Sequence, residues 1–256
     1  MPAASEKPAK SVFEKPDHLT FALMAVGSRD VIPQIVSLVQ QGNISVERLR
    51  SAASLVASQG SPDDLGGFLN AAIEGKLDVD LRLEVLQVLL NAARQRRAVA
   101  EGASRGLTLL SETQPDPVRT IAAELVGYWR LPEALVLLQT TATDEKSPLA
   151  IRAAAMRGLS GFGNVEARAT LTDLAARGDS FDVRQAAVIT LADVDLPGAG
   201  AAAQMLLTTA GPDDDPSALV SSLLTKKDGE KVLAASIIGS RIETDVARLA
   251  LRAIES

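Results

Sequence analysis

The segment Ser147-Pro148-Leu149-Ala150-Ile151-Arg152-Ala153-Ala154-Ala155-Met156-Arg157-Gly158-Leu159 has a second version one period later, Phe181-Asp182-Val183-Arg184-Gln185-Ala186-Ala187-Val188-Ile189-Thr190-Leu191. Arg152 and Arg184 stand 32 residues apart, each followed by small residues and by a leucine seven places on. A fixed period of this length constrains the fold more than any single motif: each unit buries its apolar face only against its neighbours, so the units must stack. Weaker copies carry Arg50, Arg82 and Arg119, giving marker-arginine spacings of 32, 37, 33 and 32 residues. Arg248 lies two periods beyond Arg184, and the copy between them, around Asp213-Asp214-Asp215-Pro216, lacks the arginine. Seven units result, two of them degraded.

Partner helices are expected between the copies, at residues 132–141, 165–176, 198–209 and 230–238. Their apolar residues recur three and four apart, as in Val165, Ala169, Leu171, Leu174 and Ala175, which is helical spacing. No stretch alternates with period two for long enough to make a sheet. The expected class is all-α, an α-solenoid of about seven stacked helix pairs over residues 16–256. Residues 1–15, rich in Ala, Pro, Lys and Glu, form a tail or linker that cannot bury enough to order itself. Pro16-Asp17 opens a first helix through Phe21, and a second runs from Asp30 to Gly42. The one long interval reflects a polar connection over residues 91–116, with a helix expected from about Arg96 to Ser111.

Aromatic residues make up only 3% of the chain, so the apolar surface is mostly Ala, Leu and Val. The Ala pairs at 52–53, 122–123, 153–154 and 186–187 let helix axes approach to the lower end of the usual range, roughly 8 Å. Asp116, Ser147 and Asp182 are expected to cap the marker helices. The marker arginine then sits in the first turn, where the helix dipole disfavours a cation, so it needs an acidic or carbonyl partner in the preceding unit. Asp80/Arg82, Asp116/Arg119 and Asp182/Arg184 are the pairs expected to build this ladder, with Arg50, Arg152 and Arg248 as its other members.

The formal net charge of −6 and pI of about 5.0 oppose a phosphate-binding surface, and nucleic acid is not an expected partner. With no cysteine there is no disulfide, thiolate metal site or cysteine nucleophile. No segment has the length and apolarity of a membrane span, and the first residues contain no apolar run of a signal peptide. His18, the single histidine, builds no metal cluster and reads as a surface or capping group. Asp213-Asp214-Asp215 lacks the spacing of a calcium loop and reads as a helix start. The glycines from Gly158 to Gly163 follow no strand and read as helix terminators. Candidate partner-binding residues are the basic group Arg94, Arg96, Arg97 and Arg105, and Trp129, which either marks a groove or wedges between repeats. No catalytic, cofactor or metal residue is expected.

Asp116-Pro117-Val118-Arg119, Ile151-Arg152-Ala153-Ala154-Ala155 and Asp182-Val183-Arg184-Gln185-Ala186-Ala187 resemble HEAT repeats, specifically the short bilin-lyase-like class. A narrower likeness lies in Asp17-His18-Leu19-Thr20-Phe21-Ala22-Leu23, in Asp215-Pro216-Ser217-Ala218-Leu219 running into Lys226-Lys227-Asp228-Gly229, and in Asp245-Val246-Ala247-Arg248-Leu249-Ala250-Leu251. These look like the HEAT region of large exported haem-binding proteins of Planctomycetes and Verrucomicrobia, which join a propeller, a HEAT array and a c-type cytochrome domain. The resemblance implies a non-catalytic scaffold, the middle module of such a chain, that binds a protein partner or positions flanking domains, and an exported, periplasmic setting in a bacterium. The sequence has no Cys-x-x-Cys-His, so haem chemistry does not carry over. The alternative implied by the same resemblance is a HEAT-fold enzyme or a tetrapyrrole-binding, bilin-lyase-like protein.

Overall fold

The computed structural model describes residues 28–255; the expected tail, the helix from Pro16 and His18 lie outside them. The chain divides into two compact units, Met1–Glu101 and Gly102–Ser256. Unit 1 contains a 3-10 turn, Arg29–Val31, and helices α1 (Ile32–Gln40), α2 (Val46–Gln59), α3 (Pro62–Ile73) and α4 (Val79–Arg96). Unit 2 opens on a 3-10 helix, Ala103–Leu110, and continues through α5 (Asp116–Tyr128), α6 (Pro132–Thr143), α7 (Leu149–Phe162), α8 (Val165–Arg177), α9 (Phe181–Leu191), α10 (Leu196–Thr209), α11 (Ser217–Leu224), α12 (Gly229–Ile237) and α13 (Thr244–Glu255). Among the described residues there is no strand. The helix expected from Arg96 to Ser111 is absent. Instead Arg97 stops α4 with φ +55°, and Gly102, at φ +67°, leads into the 3-10 helix.

Helix starts follow local chemistry. Ser61 and Asp64 close a capping box at α3, and the Ser45, Asp78, Asn164, Ser180 and Asp195 side chains each accept a first-turn N–H, satisfying donors that have no partner within the helix. The marker helices depart from the expected caps. Asp116 is the first residue of α5 after Pro115, α7 starts after Pro148, and Ser180 rather than Asp182 caps α9. A proline before the first turn costs nothing there, because no intrahelical bond is lost.

Within each unit helices pack on the helix two places along, and most also on a sequence neighbour. In unit 1, α1 lies on α3 and α2 on α4; in unit 2, α5, α7, α9, α11 and α13 form one row, and α6, α8, α10 and α12 the other. Among the described residues Arg50 and Arg82 stand on α2 and α4 of unit 1, and Arg119, Arg152, Arg184 and Arg248 on α5, α7, α9 and α13 of unit 2. The fold is an all-α helical-repeat array. Leu138, Leu159 and Leu171 are fully buried in one continuous core of unit 2, each stabilising by about 2 kcal/mol. Phe68, Leu86 and Leu89 do the same in unit 1.

The close approach of α5 to α7 is made by glycine, not by alanine alone. A Cβ on Gly127 of α5 would lie 2.2 Å from the Gly158 carbonyl oxygen of α7, and one on Gly158 would lie 2.5 Å from the Ala123 carbonyl oxygen. Gly161 likewise faces the Tyr128 backbone at 2.9 Å. Gly158 and Gly161 are therefore contact positions inside α7, a correction to their reading as terminators. Only Gly163, at φ +63°, ends the helix.

Candidate functional site

Three marker arginines, Arg50, Arg82 and Arg152, bond to groups outside their own helix. Arg152, 4% exposed, donates Nε to the Ala142 carbonyl at the end of α6 (3.1 Å) and both Nη groups to the Asp179 carboxylate (2.9 and 2.7 Å) ahead of α9. It thus ties the helix before it to the loop after it. The Asp179 hydrogen bond raises the Arg152 pKa above its ordinary value, and Arg152 in turn holds Asp179 below the usual carboxylate range. Arg82 makes the same backward contact, Nε to the Ala72 carbonyl at 2.6 Å; burial pushes its pKa down. Arg50 reaches forward to Glu84 at 3.0 Å.

The expected acid pairs behave differently. Asp116 meets Arg119 at 3.3 Å and Asp245 meets Arg248 at 2.8 Å, both within one helix. Arg184 turns to Thr209 Oγ1 at 3.4 Å rather than to Asp182, and its Nε is buried without a partner, as is that of Arg119. Leu174 O, the counterpart of Ala142 O, already accepts the Gly178 N–H at 2.9 Å.

A second use of arginine recurs at helix ends. Arg96 Nε donates to the Ala57 carbonyl at 2.7 Å and its Nη2 to the Gly60 carbonyl, closing the C-terminus of α2; Arg130 Nε donates to the Gly161 carbonyl of α7 at 3.0 Å. A cation placed at the last carbonyls complements the helix dipole. Arg96 is thereby committed to the fold. Arg94 and Arg97 are exposed in unit 1, and Arg105 is exposed in unit 2. Trp129 caps α5 and is 5% exposed, so its ring is not offered at the surface. In the acidic loop, Asp214 accepts the Gly211 N–H and Asp215 the Ser217 N–H. The latter contacts, led by the Ser217 side chain, lower the Asp215 pKa. Among the described residues no group of three or more His, Cys, Asp or Glu side chains is placed to hold a metal ion.

One cluster was not singled out by sequence reasoning. Glu124 of α5 is 4% exposed, and its Oε2 accepts Arg157 Nε of α7 at 3.0 Å. Tyr128 stands one turn beyond Glu124, and Gly161 one turn beyond Arg157. Burial pulls the Arg157 pKa below its ordinary value, partly opposed by Tyr128. The available signal was the 33-residue offset between Glu124 and Arg157, one repeat period. The first helices of the pairs present a different surface. Val136 of α6 and Val165 of α8 are 66% and 75% exposed, and Leu137 and Met205 of α10 are also exposed. A shallow depression of about 420 Å³ on α8 is lined by Val165, Arg168, Ala169, Thr172 and Asp173. No helix among the described residues is long and apolar enough to cross a membrane.

Residues 104–192 match the family of HEAT repeats. Human deoxyhypusine hydroxylase in complex with glycerol is a structural neighbour at 17% identity and TM-score 0.33, covering 91% of this chain and 98% of that one. No curated protein matches in sequence.

Proposed function

We propose that the chain is a non-catalytic helical-repeat scaffold whose α6, α8 and α10 face binds a protein partner. The observation that carries this reading is the run of exposed apolar side chains on successive first helices of unit 2, Val136, Leu137, Val165 and Met205. Apolar groups left in water on adjoining elements favour a covered state. The charged groups described above support the reading from the other side, since Arg82, Arg96, Arg130 and Arg152 are engaged in holding helices together. The test is affinity capture with the wild type and a Val136→Glu/Val165→Glu/Met205→Glu variant. Specific partners should be retained by the first and lost by the second at equal melting temperature; equal capture by both refutes the assignment.

We further propose that this scaffold is the middle module of a larger exported haem-binding, dehydrogenase-like protein, with residues 16–256 as the repeat domain. The support is the likeness of Asp215-Pro216-Ser217-Ala218-Leu219 and its neighbours, which here form the start of α11. A Cys-x-x-Cys-His motif downstream in the full reading frame is the expected result, and its absence refutes the placement. A shifted absorption band on titration with haem would replace the scaffold reading by a tetrapyrrole-binding one.

A further inference from the structure

We propose that Met205 is a reversible oxidation switch: a peroxide converts its thioether to the sulfoxide, and the α6, α8 and α10 face then releases its protein partner. The inference rests on the scaffold reading and adds the regulation of that face.

The chain has four methionines and no cysteine, so no thiolate draws an oxidant away from the thioethers. Met1 and Met24 lie outside the described residues. Of the other two, Met156 is fully buried in the core of unit 2 and Met205 is 53% exposed. α10 buries Ala202, Ala203, Leu206 and Leu207, and it turns Met205 outward beside exposed Ala201, Gln204 and Thr208. Hydrogen peroxide transfers one oxygen atom to such a sulfur. A sulfur lone pair forms the S–O bond, the O–O bond breaks, the sulfur is oxidised by two electrons and the peroxide leaves as water. Two thiols of a methionine sulfoxide reductase return the electrons, releasing water and closing a disulfide.

The product changes what the face can bury. Met205 is apolar and adaptable before oxidation, whereas its sulfoxide oxygen is an acceptor that needs a donor whenever it leaves water. The neighbouring side chains of α10 are turned elsewhere. Thr208 Oγ1 donates to the Gln204 carbonyl at 2.9 Å, Thr209 Oγ1 to the Met205 carbonyl at 2.9 Å, and Gln204 Nε2 to Ser240 Oγ at 3.1 Å. α10 also contains no Lys or Arg that could meet the new oxygen. An apolar partner surface would strand that oxygen, so the oxidised face stays in water. The other exposed anchors, Val136, Leu137 and Val165, are hydrocarbons that peroxide leaves unchanged, and the response of the face therefore lies in one side chain. Because oxidant and partner need the same surface, a bound partner also shields the sulfur.

The full chain is treated with hydrogen peroxide, quenched with catalase and read by peptide mass spectrometry, by retention on phenyl-agarose and by thermal melting. Met205 should gain one oxygen at least about tenfold faster than Met156, and the oxidised protein should elute earlier from phenyl-agarose at an unchanged melting temperature. Methionine sulfoxide reductases for both sulfoxide epimers, supplied with dithiothreitol, should restore the retention. Met205→Leu, compared with its own untreated sample, should show no change of retention after peroxide, which separates Met205 from Met1 and Met24. Oxidation of Met156 as fast as Met205, unchanged retention of the oxidised wild type, or the same loss in Met205→Leu overturns the proposal. In affinity capture, oxidised wild type should hold at least about tenfold less partner than untreated wild type. Partner lost by the Val136→Glu/Val165→Glu/Met205→Glu variant but kept by oxidised wild type overturns the switch and leaves the face reading standing. Equal capture by that variant refutes the face reading, and the switch falls with it.

Discussion

Gly158→Ala tests whether glycine contacts, rather than helix propensity, set the spacing of α5 and α7. In an exposed helix interior the substitution would stabilise by about 1 kcal/mol. Here the new methyl would lie 2.5 Å from the Ala123 carbonyl oxygen and 3.0 Å from Leu138 Cδ1. Leu138 can move its methyl, but the carbonyl belongs to the α5 backbone and retreats only if the helices separate by several tenths of an ångström. Overpacking of this kind costs about 1 to 3 kcal/mol, and a backbone obstacle places it near the upper figure. The net effect is a loss of about 2 kcal/mol, or a melting temperature lowered by about 4 to 8 °C for a domain of this size. Thermal unfolding followed by circular dichroism measures it, with exposed Thr172→Ala as a control expected within about 0.5 kcal/mol of wild type. An unchanged or raised melting temperature in Gly158→Ala would refute the close-contact argument, because propensity alone would then govern the site.

Ala187→Phe, at a fully buried position of α9, should destabilise by about 1 to 3 kcal/mol in urea titration. Arg96→Ala should cost about 1 to 2 kcal/mol by leaving the Ala57 and Gly60 carbonyls without their donor, and hydrogen exchange should speed up at the end of α2 before it does in α3. Asp179→Asn should cost about 2 kcal/mol, below the 3 to 5 of a wholly buried pair, because Asp179 is 31% exposed and partly screened by solvent. The Asp179 carboxyl titrates lower in the folded chain than in the unfolded one, where it stands near 3.9. Its contribution is therefore complete above that unfolded value and disappears as pH falls through the folded one. The urea midpoints of wild type and Asp179→Asn should differ at pH 7 and converge as pH falls below the ordinary carboxylate range; a constant difference would refute the pairing.

Much of the fold was legible because the period of the chain is a property of local chemistry repeated. Alternation of apolar residues at three and four marks each helix, and recurrence of Arg152 at Arg184 marks each pair. The helix misread over residues 96–111 shows the limit. Arg97 there adopts a left-handed backbone that its side chain does not announce, and the following residues tighten into a 3-10 helix. The capping error at Asp116 and Asp182 is of the same kind, since the residue before a helix and the first residue within it attract the same acids.

The sequence by itself determined that the helices come in pairs, that each pair needs another, and that Arg50, Arg82, Arg119, Arg152, Arg184 and Arg248 occupy one register. Only the tertiary structure decided what each arginine holds. Arg152 finds Asp179 and Ala142, while Arg184, in the same register, finds Thr209. Glu124 and Arg157 became an ion pair for the same reason. A side chain's partner is fixed by the distance between two packed backbones, and where Gly127 meets Gly158 that distance is set by atoms a repeat period apart in the chain.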